Sequence, residues 1–133
     1  LPLCLLACTA CSPEATPDRE DSSVANKQVL HNAIDSEGGK LFKTRCGLCH
    51  TVDTNKPSVV GPHLAGLIDR PAAALKDFKY SSAMMVYANN WTAENLDSFL
   101  ENPAALIPGN RMAFAGLNKA EQRKLIIEYL ELF

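Results

Sequence analysis

The chain has 133 residues, 47% hydrophobic and 21% charged, with a formal net charge of −2. That length suits one small domain with an extension. Acids and bases balance within residues 35–133, which excludes the strongly basic surface that nucleic-acid binding requires.

In chain order, residues 1–11 are uncharged and too short to span a membrane. With no basic leader, they read as part of a signal peptide, entered inside its apolar core. Leu5-Leu6-Ala7-Cys8 resembles a bacterial lipobox, in which Cys8 takes a lipid that holds a domain at a membrane surface. The alternative is a plain export signal cut near Ala10, with Cys8 removed. Cys4, Cys8 and Cys11 all fall in this stretch, so the folded part is expected to have no disulfide. Residues 12–34 are rich in Ser, Pro, Thr and acid, which predicts a flexible tether, with a short helix over 24–34 as the alternative. Residues 35–133 form the folded domain.

Its first helix is expected to begin at Asp35 or Ser36, either of which can cap exposed amides, and to run through Phe42 toward Cys46. Gly38, Phe42 and Cys46 recur at four-residue spacing on one stripe. A glycine inside a helix costs about 1 kcal/mol against alanine, so Gly38 predicts close approach by another helix. The expected partner is carboxy-terminal, capped by Asn118 with Glu121 following, and apolar at Leu125, Ile126, Tyr129, Leu130 and Phe133. A third helix, 92–101, presents Leu96, Phe99 and Leu100 and stops before Asn102-Pro103. Pro57, Pro62, Pro71, Pro108 and several glycines break up the remainder. The class is therefore all-α: three main helices plus short helices and loops. So thin a core requires a large flat apolar body to pack around.

Cys46-Gly-Leu-Cys49-His50 supplies one. CxxCH is the attachment signature of covalently bound c-type haem: two thiols on one helical face can tether a single porphyrin, and the adjacent imidazole can bind its iron. A CxxC alone also serves zinc sites and dithiol oxidoreductases. Structural zinc, however, needs a second ligand pair, and His63 is the only histidine or cysteine after His50. A thioredoxin-like site needs strands that the sequence does not offer. Candidates for a second axial ligand are Met84, Met85, Met112 and His63. Met112 is favoured, because it ends a Pro- and Gly-constrained loop and is followed by Phe114 and Leu117, which would keep water from its sulfur.

Over residues 38–130 the chain resembles the class I c-type cytochromes, mitochondrial and bacterial. The shared motifs are Gly38-xxx-Phe42-xxx-Cys46-xx-Cys49-His50, Gly61-Pro62-His-Leu64-xx-Leu67-xx-Arg70, Phe78-Lys-Tyr80-Ser81, Trp91, Asn102-Pro103, Ile107-Pro108-Gly109, Met112 and Phe114-Ala-Gly116. The resemblance implies the cytochrome c fold with one haem c, tethered by Cys46 and Cys49 and ligated by His50 and Met112. It also implies that Pro62 accepts a hydrogen bond from the His50 ring, and that Arg70, Tyr80 and Trp91 hold the haem propionates. Three departures stand out. Phe99 replaces a frequent tyrosine, Met84 a frequent asparagine and Asn110 a frequent threonine, which predicts a drier methionine side. Val59, Ala104 and Ala105 stand where lysines are common, so electrostatic steering toward an acidic partner should be weak.

The expected function is one-electron transport in a respiratory chain, without enzymatic activity, by an exported, periplasmic, lipid-anchored monomer. Its expected partners are an oxidase, reductase, peroxidase or quinol-oxidising complex. Alternatives are an electron-entry subunit of a larger respiratory complex, or a haem enzyme or sensor with a displaceable methionine.

Overall fold

The computed structural model describes residues 19–58 and 60–133, with side chains from residue 26 onward. The signal-peptide and lipobox readings, the start of the tether and Val59 lie outside the described residues. Among the described residues six helices follow one another: α1 (Arg19–Asp35), α2 (Glu37–Arg45), α3 (Ser82–Tyr87), α4 (Ala93–Glu101), α5 (Pro103–Leu106) and α6 (Ala120–Leu130). Among the described residues there is no β-strand, only an isolated antiparallel bridge between Pro71 and Asn90. The fold is all-α.

Most of the expected tether is therefore helical, and over a longer span than the 24–34 alternative. No proline or glycine interrupts residues 19–35, and pairs one turn apart support the helix. Gln28 donates to Asn32 at 3.0 Å, and His31 lies 3.3 Å from Asp35. Its hold on the domain is slight, since Ala33 is buried while Val29, Leu30 and Ile34 stay exposed.

Ser36 caps α2 by accepting from the Gly39 amide at 3.0 Å. α6 packs across α2 and also against α4. At the α2–α6 crossing, a Cβ on Gly38 would lie 2.4 Å from the Leu125 carbonyl oxygen, so only glycine permits this approach. Phe42 and Tyr129 rings meet there at 5.1 Å. Ile126 and Leu130 are nearly inaccessible; each such side chain contributes about 1.5–3 kcal/mol of transfer free energy. Arg123, itself buried, joins α6 to α4. Its Nε donates to Asp97 at 2.8 Å, and its Nη1 donates to the Leu117 carbonyl at 2.8 Å.

Two helix ends differ from expectation. α6 is entered at Lys119 without a side-chain cap, so Asn118 does not cap it. Asn102 does not simply terminate α4; its side chain accepts from the Ala105 amide and starts α5 with Pro103 in the first turn.

Candidate cofactor site

One cavity of about 600 Å³ opens between α2, α4, α6 and the loops joining them. A volume of this order suits a flat, cofactor-sized molecule. Cys46, Cys49, His50, Pro62, Arg70, Tyr80, Trp91 and Met112 all line it. The sequence-derived site residues, scattered over more than sixty positions, thus meet at one place. Met84 and Phe99 line it as well; Met85 points to solvent and is absent from the lining.

Cys46 extends the helical hydrogen bonding of α2, its amide donating to Phe42 at 2.8 Å, and the His50 amide donates in turn to Cys46 at 2.9 Å. Burial, with the neighbouring Cys49 thiol, pushes the Cys46 pKa up to about 11, so Cys46 stays a neutral thiol near pH 7. Among the described residues, no three His, Cys, Asp or Glu side chains gather into a metal-holding group.

The His50 ring is fixed on two sides. Its Nδ1 lies 2.7 Å from the Pro62 carbonyl oxygen. A carbonyl can only accept, so Nδ1 carries the proton and Nε2 keeps its lone pair for a metal. Burial lowers the pKa of His50, with the Pro62 bond opposing; the imidazole remains neutral, as a ligand must be. A Cβ on Gly61 would come within 2.4 Å of Cε1 of the same ring. The Gly61 amide donates to the Cys49 carbonyl at 2.9 Å, holding that loop against the motif.

Arg70 donates to the carbonyls of Ala65 (2.9 Å) and His63 (3.1 Å) and makes no ion pair among the described residues. Burial lowers its pKa, opposed by Tyr80 and Asp77. A half-buried guanidinium fixed at the wall of a cavity, without a carboxylate salt bridge, suits an anionic group of a bound molecule. Trp91, buried, stacks on Phe99 at 4.9 Å.

Met112 sits on a different kind of wall. Phe99, Leu100, Met84 and Phe114 line the same cavity as Met112, and none of these four side chains can donate a hydrogen bond to a thioether. Two contacts were not anticipated. The Ser58 amide donates to Asp77 at 3.3 Å, tying the loop after His50 to the segment before Tyr80. Asn110 accepts from the Met112 amide at 2.9 Å. An Asn two residues before Met112 in a Pro-Gly loop is an Asx-turn signal that could have revealed the second contact.

The chain matches the family model "Cytochrome c" over residues 36–132. It is 44% identical over 93 residues to "Cytochrome c-type cyt cy" of Rhodobacter capsulatus, covering 70% of this chain and 46% of that protein. With "Cytochrome c homolog" of Rickettsia bellii it shares 31% identity over 117 residues, covering 88% and 68% of the two chains. With "Cytochrome c type-1" of Ascaris suum it shares 46% over 94 residues, covering 71% and 83%. The chain thus spans about half the length of the Rhodobacter relative. Its open, largely apolar cavity, with two thiols and an imidazole on its wall, fits the group these proteins are named for. The chain belongs to the cytochrome c family and carries one covalently bound haem c with its iron.

Proposed function

We propose that this protein is a one-electron carrier whose haem iron is ligated by His50 and Met112. The observation that carries the reading is that these two side chains, far apart in sequence, line one cavity, with the His50 tautomer fixed by Pro62. Haem supplies a metal that gains and loses one electron with little change in geometry.

Cys46 and Cys49 tether the cofactor to the end of α2. His50 would hold the iron through Nε2 and Met112 through its sulfur, and a cofactor held by both would have no ready position for oxygen, peroxide or substrate. The thioether favours the ferrous state and raises the reduction potential. Arg70, Tyr80 and the Trp91 indole would donate to the propionates, replacing the water those carboxylates lose. Phe99, Leu100 and Phe114, which line the same cavity, would help to keep solvent from the sulfur.

Exposed apolar side chains stand at the haem attachment: Leu48, between the two cysteines, is 92% exposed, and Val60, which lines the cavity, 66%. Arg45, Lys79 and Arg111 are the lining cations besides Arg70. Such a surface fits short-range docking to a respiratory oxidase, reductase or peroxidase with little long-range steering. Anchoring in the periplasm through a lipid on Cys8 would raise local concentration and offset that weakness. No helix among the described residues is long and apolar enough to cross a membrane.

The test is to reduce the haem-loaded protein with one equivalent of a one-electron donor, then reoxidise it with ferricyanide under carbon monoxide at neutral pH. A carrier exchanges one electron per chain, binds no carbon monoxide, and shows partner rates that change little with salt. Carbon monoxide binding to the native ferrous protein would favour a haem enzyme or sensor instead.

A further inference from the structure

The Asn110 carboxamide makes three hydrogen bonds, two to carbonyls of the neighbouring core and one to the backbone of Met112. Its Nδ2 donates to the Pro103 carbonyl at 2.9 Å and to the Ile107 carbonyl at 2.9 Å. Its Oδ1 accepts from the Met112 amide at 2.9 Å. The two carbonyls belong to rigid ground. Pro103 is among the least accessible side chains of the described residues and opens α5, and Ile107 is buried in the main core and caps its C-terminal end. The Met112 amide, by contrast, lies in an extended stretch without helix or strand. Apart from the Asn110 carboxamide, residues 108–112 are held by the Asn110 amide to Ile107, the Met112 carbonyl to Phe114 and the exposed Arg111, which donates to Lys79. The carboxamide is therefore the direct link between the buried core and the backbone of Met112.

We infer that Asn110 is a positioning residue for the Met112 ligand, because its carboxamide bridges the buried Pro103 and Ile107 carbonyls to the Met112 amide. The inference rests on the proposed ligation by Met112. A thioether binds haem iron weakly enough for small nitrogen bases to compete, so the accuracy with which its backbone is held sets how easily it is displaced. A hydroxyl side chain at 110 can accept from the Met112 amide, but it has one donor and cannot bridge both carbonyls. Asparagine is thus suited to a loop whose backbone must be tied to two core carbonyls at once.

The experiment compares the haem-loaded parent with Asn110→Asp and Asn110→Ala. Aspartate keeps size and acceptor but loses both donors and sets a charge against two carbonyls; alanine removes the whole bridge. Two quantities are read at 25 °C: the weak far-red band of sulfur ligation in the ferric protein, and the affinity for added imidazole. Both variants should lose intensity in that band and bind imidazole about tenfold more tightly, about 1.4 kcal/mol. A residue that merely supports the fold would lower the unfolding temperature and leave both quantities unchanged while the variant is folded; that result overturns the inference. If alanine prevents recovery of loaded protein, the aspartate variant decides the matter alone. Absence of the band in the parent overturns the Met112 reading and this inference with it, whereas a band kept in the parent and in every recovered variant overturns this inference only.

Discussion

His50 and Met112 occupy walls built in opposite ways. His50 stands one turn beyond α2, follows its own tethering cysteines, and is fixed by a carbonyl on one side and a glycine on the other. Met112 ends a loop, shares the cavity lining with Phe99, Leu100 and Phe114, and has its amide joined to α5 through the Asn110 carboxamide. A contiguous, helix-borne wall tolerates little displacement, because each element restrains the next. A loop-borne wall concentrates its rigidity in a few bonds, so it is where ligand strength can be tuned and where it can fail.

The sharpest way to break the first wall is Gly61→Ala. A methyl within 2.4 Å of the His50 ring must displace it and stretch the Pro62 bond, at an overpacking cost of about 1–3 kcal/mol plus about 1 kcal/mol for the hydrogen bond. The yield of coloured protein per polypeptide should fall by about tenfold or more. Met112→Ala should spare yield, because the tethers and His50 remain, but open one coordination position. The reduction potential should fall by about a tenth of a volt or more, within the roughly 0.8 V that axial ligands span, and carbon monoxide should bind the ferrous protein.

Phe99→Tyr sharpens the comparison by wetting the second wall. Phe99 is buried against Trp91 and lines the cavity; an added hydroxyl without a partner costs about 1–3 kcal/mol, so it should turn toward the Met112 sulfur. Both the potential and the pH at which the methionine is exchanged should shift in titrations. If neither moves, the dry-wall account is wrong. The smallest effect is expected for Asp77→Asn. Hydrogen bonding from Ser58 holds the Asp77 carboxyl below its ordinary 3.8, so the folded state binds fewer protons there than the unfolded chain. That contribution is present above pH 3.8 and is lost as pH falls through the folded value. Denaturant titrations should find the variant slightly less stable at neutral pH, with the difference closing below pH 4.

The two walls were also unequally legible in the sequence. Cys46, Cys49 and His50 are local, and their chemistry dictates their spacing, so the motif and the α2 stripe from Gly38 through Phe42 could be read directly. α6 was legible from its apolar stripe, although its start was not, since Lys119 enters it with no side-chain cap. α1 was masked by composition: a polar stretch with few buried side chains looks like a tether, and only the absence of helix breakers and the turn-spaced pairs argue otherwise. α5 hid because Asn102-Pro103 reads as a stop, although Asn followed by Pro also starts a helix. Arg70, Tyr80 and Trp91 converge only through the path of the loops, so a family resemblance was needed to single them out. The Ser58–Asp77 contact had no local signal, because it joins loops far apart in sequence.

The central claim is that the iron is closed on one face by the His50 imidazole and on the other by the Met112 thioether. Absorption spectra of the haem-loaded protein in both oxidation states test it most directly. The account predicts a weak far-red band in the ferric form that vanishes on reduction and is missing from Met112→Ala. A ferric spectrum without that band, or one that Met112→Ala leaves unchanged, would contradict it.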